Sequence, residues 1–229
     1  MARAQAIPVA KPIAFNRYMA LIYLTMALGL AITAAVSQGV YANEELMYRI
    51  MFNSWFAFGL FLLQIFLVVG ISAAVMRLSP GVAFLLFLLY SALTGVALSS
   101  IFIYYSQSTI FYTFWMAAGM FLFCSVAGLF IKRDLSGLGL FLLLALMGWT
   151  FGLFLTWFFP FAQGLNQLMN FTGILLFAAL AVWDTQRLKV LTAQLEGSRS
   201  RGGIVVIGAL ALYLDFINLF LLLLRTSRR

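Results

Sequence analysis

Seven long apolar stretches, separated by short polar segments or by glycine and proline, divide the chain. A helix needs about 20 mostly apolar residues to cross the hydrocarbon core of a bilayer, and each stretch reaches that length or does so with an amphipathic extension. The pattern therefore predicts an all-α membrane protein with seven transmembrane helices. The predicted spans cover residues 20–40, 56–75, 82–103, 111–131, 138–159, 168–183 with an extension towards 191, and 204–224.

The first apolar stretch is expected to be a retained span. It exceeds the roughly 7–15 apolar residues of a cleavable signal peptide, and a long leader containing Pro8 and Pro12 precedes it. We therefore expect two parts. Residues 1–19 form a cytoplasmic amino-terminal arm, and residues 20–229 form a single seven-helix transmembrane domain.

Composition supports a membrane protein and excludes several kinds of site. Hydrophobic residues make up 65% of the chain and charged residues 9%, and the mean hydropathy is +1.07; soluble domains carry roughly a quarter charged residues. Cys124 is the single cysteine and histidine is absent. The chain thus offers no internal disulfide, no thiolate metal cluster and no imidazole switch. We expect no cofactor.

Lysine and arginine predict the orientation. The net charge is +8, but the basic residues form short clusters between apolar stretches, so we expect no nucleic-acid partner. Loops rich in Lys and Arg stay in the cytoplasm, which predicts a cytoplasmic amino terminus in the plasma (inner) membrane. The residues then placed inside are Arg3, Lys11, Arg17, Arg77, Lys132, Arg133, Arg187, Lys189, Arg199 and Arg201.

The carboxyl-terminal tail opposes this arrangement. With seven crossings, Arg225, Arg228 and Arg229 lie outside. Either the earlier spans set the topology and the tail is tolerated, or the last apolar segment is re-entrant.

Small residues let helices approach closely in lipid. Ser91, Gly95 and Ser99 predict one such packing face on the third span. Gly148 and Gly152, followed by Thr156, predict another face on the fifth span.

Two of the six acidic residues stand within apolar stretches. Glu44, Glu45, Asp134 and Glu196 fall in loops, where water solvates them, but Asp215 lies near the middle of the last stretch. An acid at that depth is costly and faces protein or a water-filled cavity. Helical spacing places it on a narrow stripe of small and polar residues, which comprises Gly208, Ala211, Asp215, Asn218 and Leu222.

Asp184 stands where the sixth stretch meets its basic extension, on a stripe with Asn170, Gly173, Phe177 and Ala181. Because consecutive spans run antiparallel, the two stripes can face each other and bring Asp184 and Asp215 together on the cytoplasmic half. Two local alternatives stay open. Asp184 pairs with Arg187 three residues further on, or Asp215 is a structural acid held by Tyr, Ser or Thr hydroxyl groups.

Four stretches resemble the Bax inhibitor-1 family, the transmembrane Bax inhibitor motif proteins, and in particular its bacterial branch. The resemblance runs from the second span to the end of the chain. Its most specific pieces are residues 90–103 (YSALTGVALSSIFI), 132–137 (KRDLSG), 184–189 (DTQRLK) and 208–220 (GALALYLDFINLF).

The resemblance implies a seven-helix fold in which the last helix is enclosed by the other six. It also implies an aspartate pair that senses pH and governs calcium leakage, and the pair carries over onto Asp184 and Asp215. Asn218, Arg187 and Tyr213 are the expected supporting polar residues.

This chain departs from the family at two places. Trp183 stands where a tyrosine usually precedes the first aspartate of the pair. Some members carry a charged latch residue within the second helix, whereas the second span here has only Gln64 internally and Arg77 at its end.

The expected function is a pH-sensitive calcium leak channel or transporter gated by Asp184 and Asp215. Two adjacent carboxyl groups in a low-dielectric site share one proton and titrate as a unit. Losing that proton leaves two negative charges, which repel unless a cation enters. Ca²⁺ suits the site because it accepts carboxylate and carbonyl oxygens in flexible geometry. The expected partners are therefore the lipid bilayer and the calcium ion.

Two other functions are compatible with parts of the sequence. Intramembrane aspartyl proteases also use two membrane acids, but they resemble one another in a Gly-x-Gly-Asp motif, whereas residues 212–215 read LYLD; we expect no enzyme. The alternative is a membrane-embedded regulator that binds another membrane protein, such as a membrane-bound protease, through the polar amino-terminal residues 1–17.

Overall fold

The computed structural model describes residues 17–74, 78–131, 135–156, 163–194 and 201–227. Helices follow one another through these ranges, and seven segments are long and apolar enough to cross a membrane, α4 and α5 together forming one of them. The helices are α1 (Arg17–Tyr41), α2 (Glu44–Phe52), α3 (Ser54–Ala74), α4 (Pro80–Leu98), α5 (Ile101–Tyr104), α6 (Gln107–Phe130), α7 (Ser136–Leu155), α8 (Gln163–Gln194) and α9 (Arg201–Thr226).

The seven predicted spans are confirmed, with ends that differ by a few residues. α1 already begins at Arg17, and the rest of the predicted arm lies outside the described residues. α9 is unbroken over 26 residues, or about 39 Å at 1.5 Å per residue. The last segment is therefore long enough to cross the membrane, as predicted for seven crossings.

Several residues of the orientation and loop predictions lie outside the described part of the chain. These are Arg3, Lys11, Arg77, Lys132, Arg133, Asp134, Glu196, Arg199, Arg228 and Arg229.

A short helix, α2, replaces the loop predicted around Glu44 and Glu45, and that part of the prediction was wrong. Asn43 caps it, since the Asn43 Oδ1 accepts from the backbone N–H of Leu46 at 3.1 Å. The two carboxylates stand in the first turn, where they complement the helix dipole. Both are exposed, as expected, and Glu45 pairs with Arg49 at 2.6 Å.

The last helix, α9, occupies the centre of the bundle. It packs against α1, α4, α6 and α8, while α3 packs on α4 and α7 on α8. Within its most apolar stretch, 61% of the residues of α9 are buried, against 33% or fewer in every other span. The predicted central position of the last helix is confirmed, with four helices in direct contact and two further out.

Small residues determine where the helices approach most closely. A Cβ atom on Gly95 would lie 2.7 Å from the carbonyl oxygen of Thr33 on α1, and Ser91 and Ser99 are fully buried. The packing face predicted on the third span is therefore confirmed.

On α7, the prediction is confirmed at Gly152, where a Cβ would lie 2.8 Å from the Met169 Cε of α8. It was wrong for Gly148, where a Cβ would meet no atom within 4 Å, because α7 is an outer helix.

Candidate functional site

The two polar stripes predicted on the last spans face each other across the α8–α9 interface. Near one end, the Asn170 Nδ2 donates to the carbonyl oxygen of Leu222 at 3.0 Å, and Gly173 packs against the side chain of Leu222. Near the other end, Gly208 packs against Leu188. Asp184 and Asp215 lie between these two contacts. The antiparallel α8–α9 pairing therefore places both acids at one level of the bundle.

The carboxyl groups of Asp184 and Asp215 approach each other within reach of a hydrogen bond. Two carboxyl groups can form such a bond only when one of them carries a proton, because ionised carboxylates are acceptors only. Asp215 is 5% exposed, whereas Asp184 is partly exposed. Two acids placed in this way are able to share a proton, and the more enclosed acid is the one on the central helix.

One oxygen of Asp215 receives no hydrogen bond from an amide, alcohol or phenol group of the described residues. The Asp215 Oδ2 is buried, and no N–H or hydroxyl group of the described residues donates to it. An acid with a purely structural role would have its oxygens satisfied by Tyr, Ser or Thr hydroxyl groups. Such hydroxyls do not bind Oδ2 here, so the structural alternative for Asp215 does not account for this oxygen.

A set of linked hydroxyl groups lies at the same level of α8 as Asp184. Thr185, next to Asp184 and fully buried, has its Oγ1 3.1 Å from the Tyr23 hydroxyl oxygen and 3.4 Å from the Ser125 Oγ. This short chain of hydroxyl groups links α1, α8 and α6. It crosses the core of the bundle at that level.

Arg187 does not form an ion pair with Asp184 within 4.0 Å in the described part of the chain. Its guanidinium carbon lies 5.1 Å from the ring centroid of Trp183, a cation–π contact. Arg187 is exposed, and its charge still acts on Asp184 through space. The local alternative, an i,i+3 ion pair that fully explains Asp184, is therefore not the arrangement observed.

The other two supporting residues bond elsewhere. The Tyr213 hydroxyl oxygen lies 2.7 Å from the Thr33 Oγ1, and the Asn218 Nδ2 donates to the Leu214 carbonyl oxygen within α9 at 2.8 Å. Neither contact reaches a carboxyl group of the pair. Tyr213 instead connects α9 to α1, on another face of the central helix.

The sequence alone did not predict the hydroxyl contacts among Tyr23, Ser125 and Thr185. Single hydroxyl residues are common in membrane helices, so their presence alone is not a signal. The available clue was the position of Thr185 directly after Asp184, and the partners on α1 and α6 become visible only once the helices are packed.

The pair alone cannot form a tight calcium site. No group of three or more His, Cys, Asp or Glu side chains is found within the residues that the structure describes. Ca²⁺ takes 6–8 oxygen ligands, and two carboxylates supply at most four. Carbonyl oxygens or water would have to supply the remaining ligands.

Fold and site together define a class of protein: a multi-pass helical membrane protein whose central helix carries a buried acid close to an acid of the preceding helix. The family model described as "Inhibitor of apoptosis-promoting Bax1" matches residues 15–227. The chain belongs to the Bax inhibitor-1 family, which confirms the resemblance noted in its sequence.

Relatives of similar length occur in distant bacteria. The chain is 41% identical over 211 residues to the inner membrane protein YbhL of Escherichia coli strain K12, covering 91% of this chain and 89% of that protein. It is 38% identical over 211 residues to an uncharacterised protein of Borreliella burgdorferi, covering 92% and 90%. It is 33% identical over 219 residues to an uncharacterised membrane protein of Streptococcus pyogenes serotype M1, covering 95% and 94%.

Proposed function

We propose that this protein is a pH-sensitive calcium leak channel or transporter gated by Asp184 and Asp215. The observation that carries the proposal is the close approach of their carboxyl groups at the buried α8–α9 interface. The proposed location is the inner membrane, in line with the E. coli relative, with the amino terminus in the cytoplasm.

With one proton shared, the pair connects α8 to the central helix. Asp215 is the expected holder of that proton because it is the more enclosed of the two acids, whereas the Arg187 charge acts on Asp184. In this state the bond holds the two helices together, and the path for ions is closed.

Loss of the proton reverses the interaction. Two unit charges about 4 Å apart repel by about 4 kcal/mol at an effective dielectric constant near 20. Of the described basic groups, Arg187 is the one whose charge acts on Asp184, and it lies at the surface over Trp183. The neighbouring groups Tyr23, Thr185 and Ser125 are neutral hydroxyls. A cation that enters between the two carboxylates would therefore offset their repulsion, and Ca²⁺ is the proposed cation.

The test is calcium flux against pH in liposomes that contain a calcium dye and the purified full chain. Flux should rise with pH in the native protein, and Asp184→Asn or Asp215→Asn should flatten that dependence, because a single carboxylate has no like charge beside it. Glu45→Gln is the matched control, since it removes an exposed acid far from the pair. Native pH dependence in both Asn variants would exclude the pair from the mechanism.

The alternative proposal is a regulator that binds another membrane protein through residues 1–17. Deleting residues 1–16 discriminates between the two roles. A self-contained leak keeps its pH-dependent flux after the deletion, whereas a regulator loses co-purification with its partner. The two results are independent, so the same deletion tests both proposals.

A further inference from the structure

A cavity of about 330 Å³ opens between α1, α5, α6 and α9. Ser37, Gln38 and Gln107 supply polar groups to its lining, and most of its remaining wall is apolar. Gln107 is the first residue of α6, and Gln38 lies in the last turn of α1, so these residues mark the end of the bundle that the charge pattern places outside. The cavity therefore extends from the predicted outer end into the interior of the bundle.

The inner end of this cavity reaches Phe216, the residue directly after Asp215. Phe216 is 2% exposed, and its ring is edge-on to two rings of α6. Its centroid lies 5.4 Å from that of Phe114, which also lines the cavity, and 5.7 Å from that of Phe121, which does not. The three rings form a continuous aromatic layer at the α6–α9 interface, about 10 Å thick along the axis of α6 because Phe114 and Phe121 are seven residues apart.

The polar groups around the acid pair begin on the other side of this layer. Ser125 follows Phe121 by one helical turn on α6, an advance of about 6 Å along the axis. Ser125 is the residue that contacts Thr185, the neighbour of Asp184. Along α6, the order from the outer end is thus cavity, aromatic layer and hydroxyl groups beside the carboxyl pair.

We propose that Phe114, Phe121 and Phe216 form the barrier that closes the outer cavity from the carboxyl pair, with Phe216 as its movable member. This inference rests on the proposed function, since it supplies the outer half of the ion path. A narrow aromatic constriction excludes water, and a hydrated cation does not cross a dry constriction. Phe216 shares the backbone of Asp215, so any displacement of α9 when the pair separates also displaces this ring from the other two.

The single natural cysteine provides a reporter behind the barrier. Cys124 is buried, belongs to the same packed core as Phe121 and Phe216, and lies next to Ser125. A small, positively charged, membrane-impermeant methanethiosulfonate reagent added from the cavity side reaches Cys124 only when the aromatic layer is open. Spheroplasts and inverted vesicles expose the two ends of the full-length protein separately, so the side of access is measured directly.

Phe216→Ala should raise the labelling rate of Cys124 from the cavity side several-fold, while Phe216→Leu, which keeps an apolar side chain of similar bulk, should raise it much less. Phe123→Ala is the matched control, because it makes the same change next to the reporter but on an exposed side chain. Cys124→Ala defines the background. Phe121→Ala is the second variant if Phe216→Ala fails to elute as a folded protein.

The outcomes separate this inference from the proposed function. If Cys124 stays as protected in Phe216→Ala and Phe121→Ala as in the native protein, the barrier is wrong, whatever the aspartate variants do to calcium flux. Access that rises equally in Phe123→Ala also overturns it. If access rises only in the layer variants but neither aspartate variant alters flux, the barrier stands and the calcium proposal fails.

Discussion

Lys189 of α8 donates from its Nζ to the carbonyl oxygen of Leu129 at 2.6 Å. That oxygen belongs to the last turn of α6, where backbone carbonyl groups lack helical partners. A longer contact of 3.4 Å reaches the carbonyl oxygen of Ile131, and the Lys189 side chain is buried. Because a positive charge also complements the negative end of the helix dipole, Lys189 fixes the end of α6 against α8, one helical turn from Asp184.

Lys189→Met should therefore destabilise the bundle. The variant keeps an apolar stem but removes a charged donor, and hydrogen bonds to charged groups contribute about 1.5–3 kcal/mol each. The measurement is the free energy of unfolding in mixed detergent micelles, followed by circular dichroism. Arg187→Met is the control, since it removes an exposed cation–π contact of about 0.5–1 kcal/mol. Equal losses in both variants would contradict a capping role for Lys189.

Calcium and protons should compete at the carboxyl pair. If Ca²⁺ binds the form that has lost the shared proton, then raising external calcium favours that form, and the pH at half-maximal flux moves to lower values. The liposome assay at several calcium concentrations measures this midpoint. In Asp184→Asn, whose flux should depend little on pH, raising calcium should produce no such shift. A native midpoint that stays constant as calcium rises would show that protons and calcium act at separate places.

Burial and span length could be predicted because they depend on local composition. The seven spans follow from runs of apolar residues, and Asp184 and Asp215 stand out because acids inside such runs are costly. α2 was missed because it is short and depends on one capping side chain, that of Asn43. Packing partners could not be predicted either. Tyr213 is close to Asp215 in sequence, yet helical rotation turns its hydroxyl group towards Thr33 on α1.

The close approach of α1 and α4 should make Gly95 intolerant of a side chain. In Gly95→Ala, the new Cβ meets the Thr33 carbonyl oxygen at 2.7 Å and the Val36 Cβ at 2.8 Å. A backbone oxygen moves only with its helix, so we expect a loss of about 1–3 kcal/mol in the free energy of unfolding. Gly148→Ala is the matched control. Its Cβ meets no atom within 4 Å, and alanine is favoured over glycine in a helix by about 0.5–1 kcal/mol.

The two glycine substitutions should change the unfolding midpoint differently. Gly95→Ala should lower the unfolding midpoint in detergent, and Gly148→Ala should leave it unchanged or raise it. If both substitutions raise the midpoint, α1 and α4 do not approach each other as closely as the structure describes.

The hydrogen bond between Tyr213 and Thr33 should couple the central helix to α1. The Tyr213 hydroxyl is fully buried, and the Thr33 Oγ1 also lies 2.9 Å from the Ser91 carbonyl oxygen, so the three groups form a small network across α9, α1 and α4. Tyr213→Phe and Thr33→Val should each lower the free energy of unfolding by about 1 kcal/mol. The double variant should lose less than the sum of the two, with a coupling of about 0.6 kcal/mol and at most about 1.7 kcal/mol, the range measured for hydrogen bonds between membrane helices. Strictly additive losses would mean that the two hydroxyl groups stabilise the bundle independently, and α1 would then be held to α9 by apolar packing alone.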